Sequence, residues 1–136
     1  METERQALSD DICTALQETN FWQDVASDLA RGRVYLPDED VERFPGSRAA
    51  LAARRATPAF RQLLAFEVAR TRARFRRGLA LADLVSGRLR AEVRIFARGG
   101  LAILKRIEAV EYDVFARRPK LTRGDLAAIV LGGFRR

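Results

Sequence analysis

The stretch LQETNFWQDVASDLARGRVYLP, residues 16–37, decides the fold. Within it Asn20, Asp24 and Asp28 recur every four residues, and each step of four drifts by only about 40° around an α-helix. Gln17 falls inside the same sector of roughly 80°. Two carboxylates and two amides therefore project from one stripe, while Leu16, Trp22, Val25, Ala26 and Leu29 fill the opposite side. Mg²⁺ prefers oxygen ligands, takes one or two protein carboxylates and completes its octahedron with water and phosphate oxygens. The stripe thus predicts half of a site for Mg²⁺ and a diphosphate.

Working outward, the apolar spacing that begins at Leu8 and Ile12 predicts a first helix from about Glu4 to Ala30. Gly32 and Pro37 bracket a non-helical RGRVYLP, and Asp38, Glu39 and Asp40 read as the acidic first turn of a short helix ending near Phe44-Pro45-Gly46. Residues 47–56 read as a brief helical or irregular link. Thr57 before Pro58 supplies a capping hydroxyl and a proline at the first helical position. The helix that follows carries Phe60, Leu63, Leu64, Val68 and Phe75 to about Arg77, with Gly78 as its stop. After LALADLV a long helix spans about Arg88 to Val110, its main apolar residues including Leu89, Phe96, Leu101 and Leu104. Gly99-Gly100 inside it costs about 1 kcal/mol per glycine against alanine, which points to a kink or to close helix packing. Pro119 ends the next segment, and Thr122 with Asp125 marks the start of a last helix running to about Phe134. No strand signal exceeds the short RVYL, so the fold class is all-α, in a single domain over residues 1–136.

Composition narrows the chemistry. The chain has no histidine and one cysteine, Cys13, which excludes an intrachain disulfide, histidine zinc sites and Ser-His-Asp or Cys-His catalysis. Cys13 is expected to be a small, partly buried residue. No apolar run approaches the ~18 residues that span a bilayer, and the charged start METERQALSDD is unlike a signal sequence, so the expected compartment is cytoplasmic. A net charge of +7 raises the question of nucleic acid, but lysine appears only at Lys105 and Lys120, and the arginines alternate with apolar residues at helical spacing. The expectation is no nucleic acid. Arginine-rich RTRARFRR is expected to be solvated helix surface. A basic surface also suits anionic lipid headgroups or a diphosphate, which makes peripheral membrane contact compatible with the charge.

The stretch LSDDICTALQETNFWQDVASDLARGRVYLP, residues 8–37, resembles the second aspartate-rich region of the squalene and phytoene synthases. Its NFWQDV is most similar to the bacterial hydroxysqualene synthase branch, and the tail RLRAEVRIFARGGLAILKRIEAVEYDVFARRPKL, residues 88–121, resembles the last helices of that branch. The resemblance implies an all-α isoprenoid synthase fold in which Mg²⁺ assists departure of a prenyl diphosphate, farnesyl or presqualene diphosphate, in squalene and hopanoid biosynthesis. It implies Asn20, Asp24 and Asp28 as metal ligands, with Asp24 and Asp28 catalytic, and Gln17 as a polar position near substrate. Arg33 and Tyr35 stand at the family's Arg-x-Tyr signature. Tyr112 resembles a tyrosine that approaches the diphosphate, with Arg117, Arg118 and Lys120 as phosphate partners. Gln23 takes the place of an arginine of phytoene synthases, which agrees with the hydroxysqualene branch.

The chain departs from the family in length, with no earlier Asp-x-x-x-Asp for the opposite wall of the site, and Asp10-Asp11 lies on the same helix as the stripe. It reads as a partial synthase domain lacking the first aspartate-rich motif, for which a second synthase chain is a compatible partner. An ordinary solvated face would carry the same aspartates at a cost of only a few tenths of a kcal/mol. The competing readings are a non-catalytic helical remnant acting as a protein-binding module and a basic nucleic-acid module.

Overall fold

A computed structural model describes residues 2–133, and the regular elements among them are eight α-helices: α1 (Glu2–Gln23), α2 (Val25–Ala30), α3 (Asp38–Arg43), α4 (Ser47–Ala53), α5 (Pro58–Gly78), α6 (Leu81–Leu84), α7 (Gly87–Ala109) and α8 (Arg123–Gly133). No strand forms among the described residues, and RVYL lies in a loop. None of these helices is long and apolar enough to cross a membrane. Helix α5 starts as its sequence dictates, with the Thr57 hydroxyl accepting from the Phe60 amide at 3.3 Å and Pro58 at the first position. Its Phe60, Leu63, Leu64, Val68 and Phe75 are fully buried and meet Ile12, Ala15 and Trp22 of α1 and Ala97, Leu104 and Ile107 of α7. Three long helices thus form the core, with α3 and α4 on one flank of α5 and α8 on α7.

Two glycines set how closely those helices approach. A Cβ on Gly78 would lie 2.6 Å from the Ile12 side chain, and one on Gly100 would lie 2.1 Å from Phe75 Cζ. Gly78 therefore does more than end α5, since it admits α1. Helix α7 runs through Gly99-Gly100 without interruption, and the close-packing reading holds for Gly100 alone, because nothing lies within 4 Å of a Cβ on Gly99.

Several expectations need correction. The predicted first helix is interrupted at Asp24, whose φ of −106° and ψ of 16° leave the helical region. The link at residues 47–56 contains a defined helix, α4. Cys13 is exposed, because it lies on the polar side of α1. Leu89 and Phe96 of α7 are exposed at 52% and 54%, not core. The end of the last helix expected at Phe134 lies outside the described residues. The RTRARFRR arginines are mostly ion-paired to other helices: Arg70 with Asp40 (and, within α5, with Glu67), Arg72 with Glu108, Arg74 with Glu18, and Arg77 with Asp11.

Glu67 is wholly buried in that network, a feature that helical spacing did not flag. Arg70 Nη2 reaches Asp40 at 2.8 Å and Glu67 at 2.6 Å. Burial first, then the hydrogen-bonded Asp40 carboxyl, push Glu67 up to about 8. The Glu67 hydrogen bond, with Arg70, holds Asp40 below the ordinary carboxylate value.

Two expectations follow from packing and from this carboxyl pair. Gly100→Ala should cost about 1–3 kcal/mol by overpacking against Phe75, whereas Gly99→Ala should gain up to about 1 kcal/mol of helix propensity, both read by urea denaturation. The folded chain keeps a proton on Glu67 that the unfolded chain releases near 4.5, so this group's contribution is complete below that pH and is lost as pH rises towards about 8. Glu67→Gln should flatten that decline in thermal midpoints followed by circular dichroism, and an unchanged pH profile would refute the assignment.

Candidate functional site

The interruption at Asp24 does not disperse the oxygen-bearing stripe. The Asp24 amide donates to the Asn20 carbonyl at 2.9 Å, and the Asp28 amide to the Asp24 carbonyl at 2.8 Å. Hydrogen bonding four residues back continues through the break, so Asn20, Asp24 and Asp28 stay in helical register opposite buried Trp22 and Val25. Gln17 and Asn20 are exposed, and Asp24 and Asp28 are half-buried.

Beyond α2 the chain must turn back on itself, and Gly32 does so at φ +74°, a region that favours glycine. The Arg33 amide then donates to the Asp28 carbonyl at 2.8 Å, and the exposed Tyr35 stacks on Phe21 with ring centroids 4.2 Å apart and planes 5° off parallel. Asp28, Arg33 and Tyr35 line one crevice of about 10 Å³, room for a single water.

A second wall comes from the far end of the sequence. After α7, Glu111 and Tyr112 adopt φ of +54° and +63°, and residues 113–122 run without regular structure. Two contacts tie this segment to the junction of α1 and α2. Buried Gln23 donates through Nε2 to the Pro119 carbonyl, and Arg118 Nε donates to Asp24 Oδ1 at 2.6 Å. Beside them a cleft of about 310 Å³ is lined by Val110, Arg117, Arg118, Pro119 and Lys120, with Arg106 at its wall in an ion pair with Asp125.

The structure therefore brings Asp24 to Arg118, puts Arg117 and Lys120 on the same cleft, and gathers Asp28, Arg33 and Tyr35 in one crevice. Tyr112 is half-buried against the main core, and its hydroxyl makes no hydrogen bond among the described residues. Among the described residues no three His, Cys, Asp or Glu side chains gather as a metal cluster. The donor set that is present, two carboxylates and an amide oxygen on one ridge, suits a hard cation that shares its remaining positions with water and phosphate. Arg33, Arg117, Arg118 and Lys120 outnumber Asp24 and Asp28, so the surroundings favour a polyanion. Sequence reading missed the Gln23 clamp and the Phe21–Tyr35 stack, although a glutamine beside a buried tryptophan and a phenylalanine outside the apolar side were visible signals.

Known proteins share this sequence pattern and this helical fold. The squalene/phytoene synthase family model matches residues 2–125. The phytoene synthase of Thermus thermophilus is 34% identical over 132 residues, which cover 96% of this chain and 45% of that protein. The 15-cis-phytoene synthase of Synechocystis is 38% identical over 104 residues, covering 76% and 31%. The crystal structure of squalene synthase HpnC from Alicyclobacillus acidocaldarius superimposes with a TM-score of 0.79 at 43% identity, over 82% of this chain and 43% of that one. The chain thus spans less than half the length of these relatives.

The two ties to the 113–122 segment should differ in strength. Gln23→Ala leaves the Pro119 carbonyl without its donor and should cost about 1–3 kcal/mol in urea denaturation, whereas Asp24→Asn, which breaks a solvent-accessible pair, should cost under about 1 kcal/mol.

Proposed function

Because the chain belongs to the squalene/phytoene synthase family, we propose that it holds the diphosphate of farnesyl or presqualene diphosphate during Mg²⁺-dependent ionisation in squalene or hopanoid biosynthesis. Hydroxysqualene synthesis is the branch we assign, supported by Gln23 in NFWQDV and by the higher identity to squalene synthase HpnC than to the phytoene synthases named above. The observation that carries the reading is the Asp24–Arg118 pair at 2.6 Å, a carboxylate that suits a divalent cation meeting a guanidinium that suits phosphate.

Each residue then has a defined task. Asn20, Asp24 and Asp28 present oxygen atoms to the cation side of the diphosphate. Arg118 balances Asp24 until a diphosphate arrives, whose oxygens match the same planar fork of donors. Lys120 and Arg117 add positive charge on the cleft, and Arg33 adds it beside Asp28. Gln23 fixes the backbone from which Arg118 projects. Bound Mg²⁺ would neutralise the charge that develops on the departing diphosphate. The opposite wall of the site we assign to residues beyond this chain, in a longer polypeptide or in a second synthase chain.

Calorimetric titration with Mg²⁺ and a non-ionising farnesyl diphosphate analogue tests the reading. Asp24→Asn should weaken Mg²⁺-dependent binding about tenfold or more with helicity unchanged, and binding at the parent level would overturn the site. Absence of binding to the intact, helical chain would instead favour a non-catalytic helical module.

A further inference from the structure

We infer that the cleft between residues 54–56 and the start of the 113–122 segment is an anion site for a small diphosphate, apart from the ridge at Asp24. Arg54, Arg55, Arg61, Asp113 and Phe115 line this cleft of about 330 Å³, a size that suits a small molecule. Its basic charge is incompletely paired. Arg54 and Arg55 form no ion pair among the described residues, and the Asp113 carboxylate is engaged by its own segment, accepting from the Ala116 amide at 3.2 Å. Arg61 is held in place: its guanidinium donates to the carbonyls of Ala56 and Glu111, while its ion pair with the Glu111 carboxylate, 3.6 Å away and 86% exposed, is weak. A planar fork of donors fixed by backbone carbonyls suits phosphate oxygens.

The backbone at this cleft supplies a second, independent observation. Among the described residues the non-glycine positions with positive φ are Arg54 at +55°, Glu111 at +54° and Tyr112 at +63°. Arg54 lines the cleft, Glu111 holds Arg61, and Tyr112 directly precedes Asp113. At Arg54 the left-handed conformation ends α4, where glycine is favoured, so a guanidinium is presented there against the preference of its own backbone. Strain of this kind collects at binding sites. Asp113 and Phe115 belong to the segment that also carries Arg118 and Pro119, so an anion in the cleft adds a further tie between that segment and α5. The inference does not depend on the prenyl diphosphate reading, because the cleft shares no residue with Asp24, Arg118 or their neighbours at that site.

Calorimetric titration of the full chain with inorganic diphosphate in the presence of EDTA tests it, because a site built from guanidinium groups needs no Mg²⁺. Arg54→Gly with Arg55→Ala should weaken binding by about tenfold or more. Glycine relaxes the left-handed backbone at position 54, so circular dichroism and the thermal midpoint of this variant should be preserved. Asp24→Asn should bind at the parent level. Arg98→Ala with Lys105→Ala removes the same net charge from the basic groove beside α8 and should also leave binding unchanged. The bound anion should slow amide hydrogen exchange around Ala116. Titration with ADP separates two sources of the anion: tighter binding than inorganic diphosphate assigns an organic diphosphate resting on Phe115, and equal or weaker binding assigns the free anion. No binding in EDTA, parent-level binding by the Arg54→Gly, Arg55→Ala variant, loss of binding in Asp24→Asn, an equal loss in the Arg98→Ala, Lys105→Ala variant, or no protection around Ala116 overturns the proposal.

Discussion

Helix α1 is pressed against α5 along Ile12, Ala15 and Trp22, and nearly everything else in the molecule depends on that contact. Gly78 lets the Ile12 side chain in, and the Trp22 indole donates to the Thr71 hydroxyl at 2.9 Å, so translation and rotation of α1 are both fixed. Once one side of a helix is committed to a close-packed interface, the direction of the other is no longer free. The ridge from Gln17 to Asp28 faces outward because the apolar side faces α5. Its precision is inherited from packing and needs no contacts of its own.

Arginine has an unusual share in holding this frame. Four arginines of α5 reach carboxylates on α1, α3 and α7, and the buried Glu67 keeps a proton that spares the interior a second negative charge beside Asp40. Arg70 also lies over the Phe66 ring at 5.3 Å, as does Arg43 at 5.0 Å, which suits a planar, weakly hydrated cation better than an ammonium. The excess basic charge left after this pairing gathers on the rim of the site and beside α8.

How much of this was legible follows from the range of the interactions. The all-α class, the Thr57-Pro58 start of α5 and the Thr122–Asp125 cap of α8 were readable because spacing and capping act over a few residues. The register of Asn20, Asp24 and Asp28 was readable for the same reason. What spacing could not reveal is what distant residues do to each other: the break at Asp24 coincides with ties to residues near 119, and nothing in the helical pattern marks Glu67 as the buried partner of Asp40 and Arg70. Leu89 and Phe96 followed the apolar pattern of α7 but fall outside its packed side, since periodicity locates an apolar stripe without saying that a partner covers all of it.

The bond from Gln23 to Pro119 joins positions 96 apart in sequence, and its neighbour from Arg118 to Asp24 joins positions 94 apart. Segments held by so few, so distant links close late on the folding path and open first in the native ensemble, by excursions that leave the remaining core intact. Amide hydrogen exchange in the segment around Pro119 should therefore run ahead of that in α5. A pair as exposed as Arg118–Asp24 gives way more readily than the packed helices beneath it.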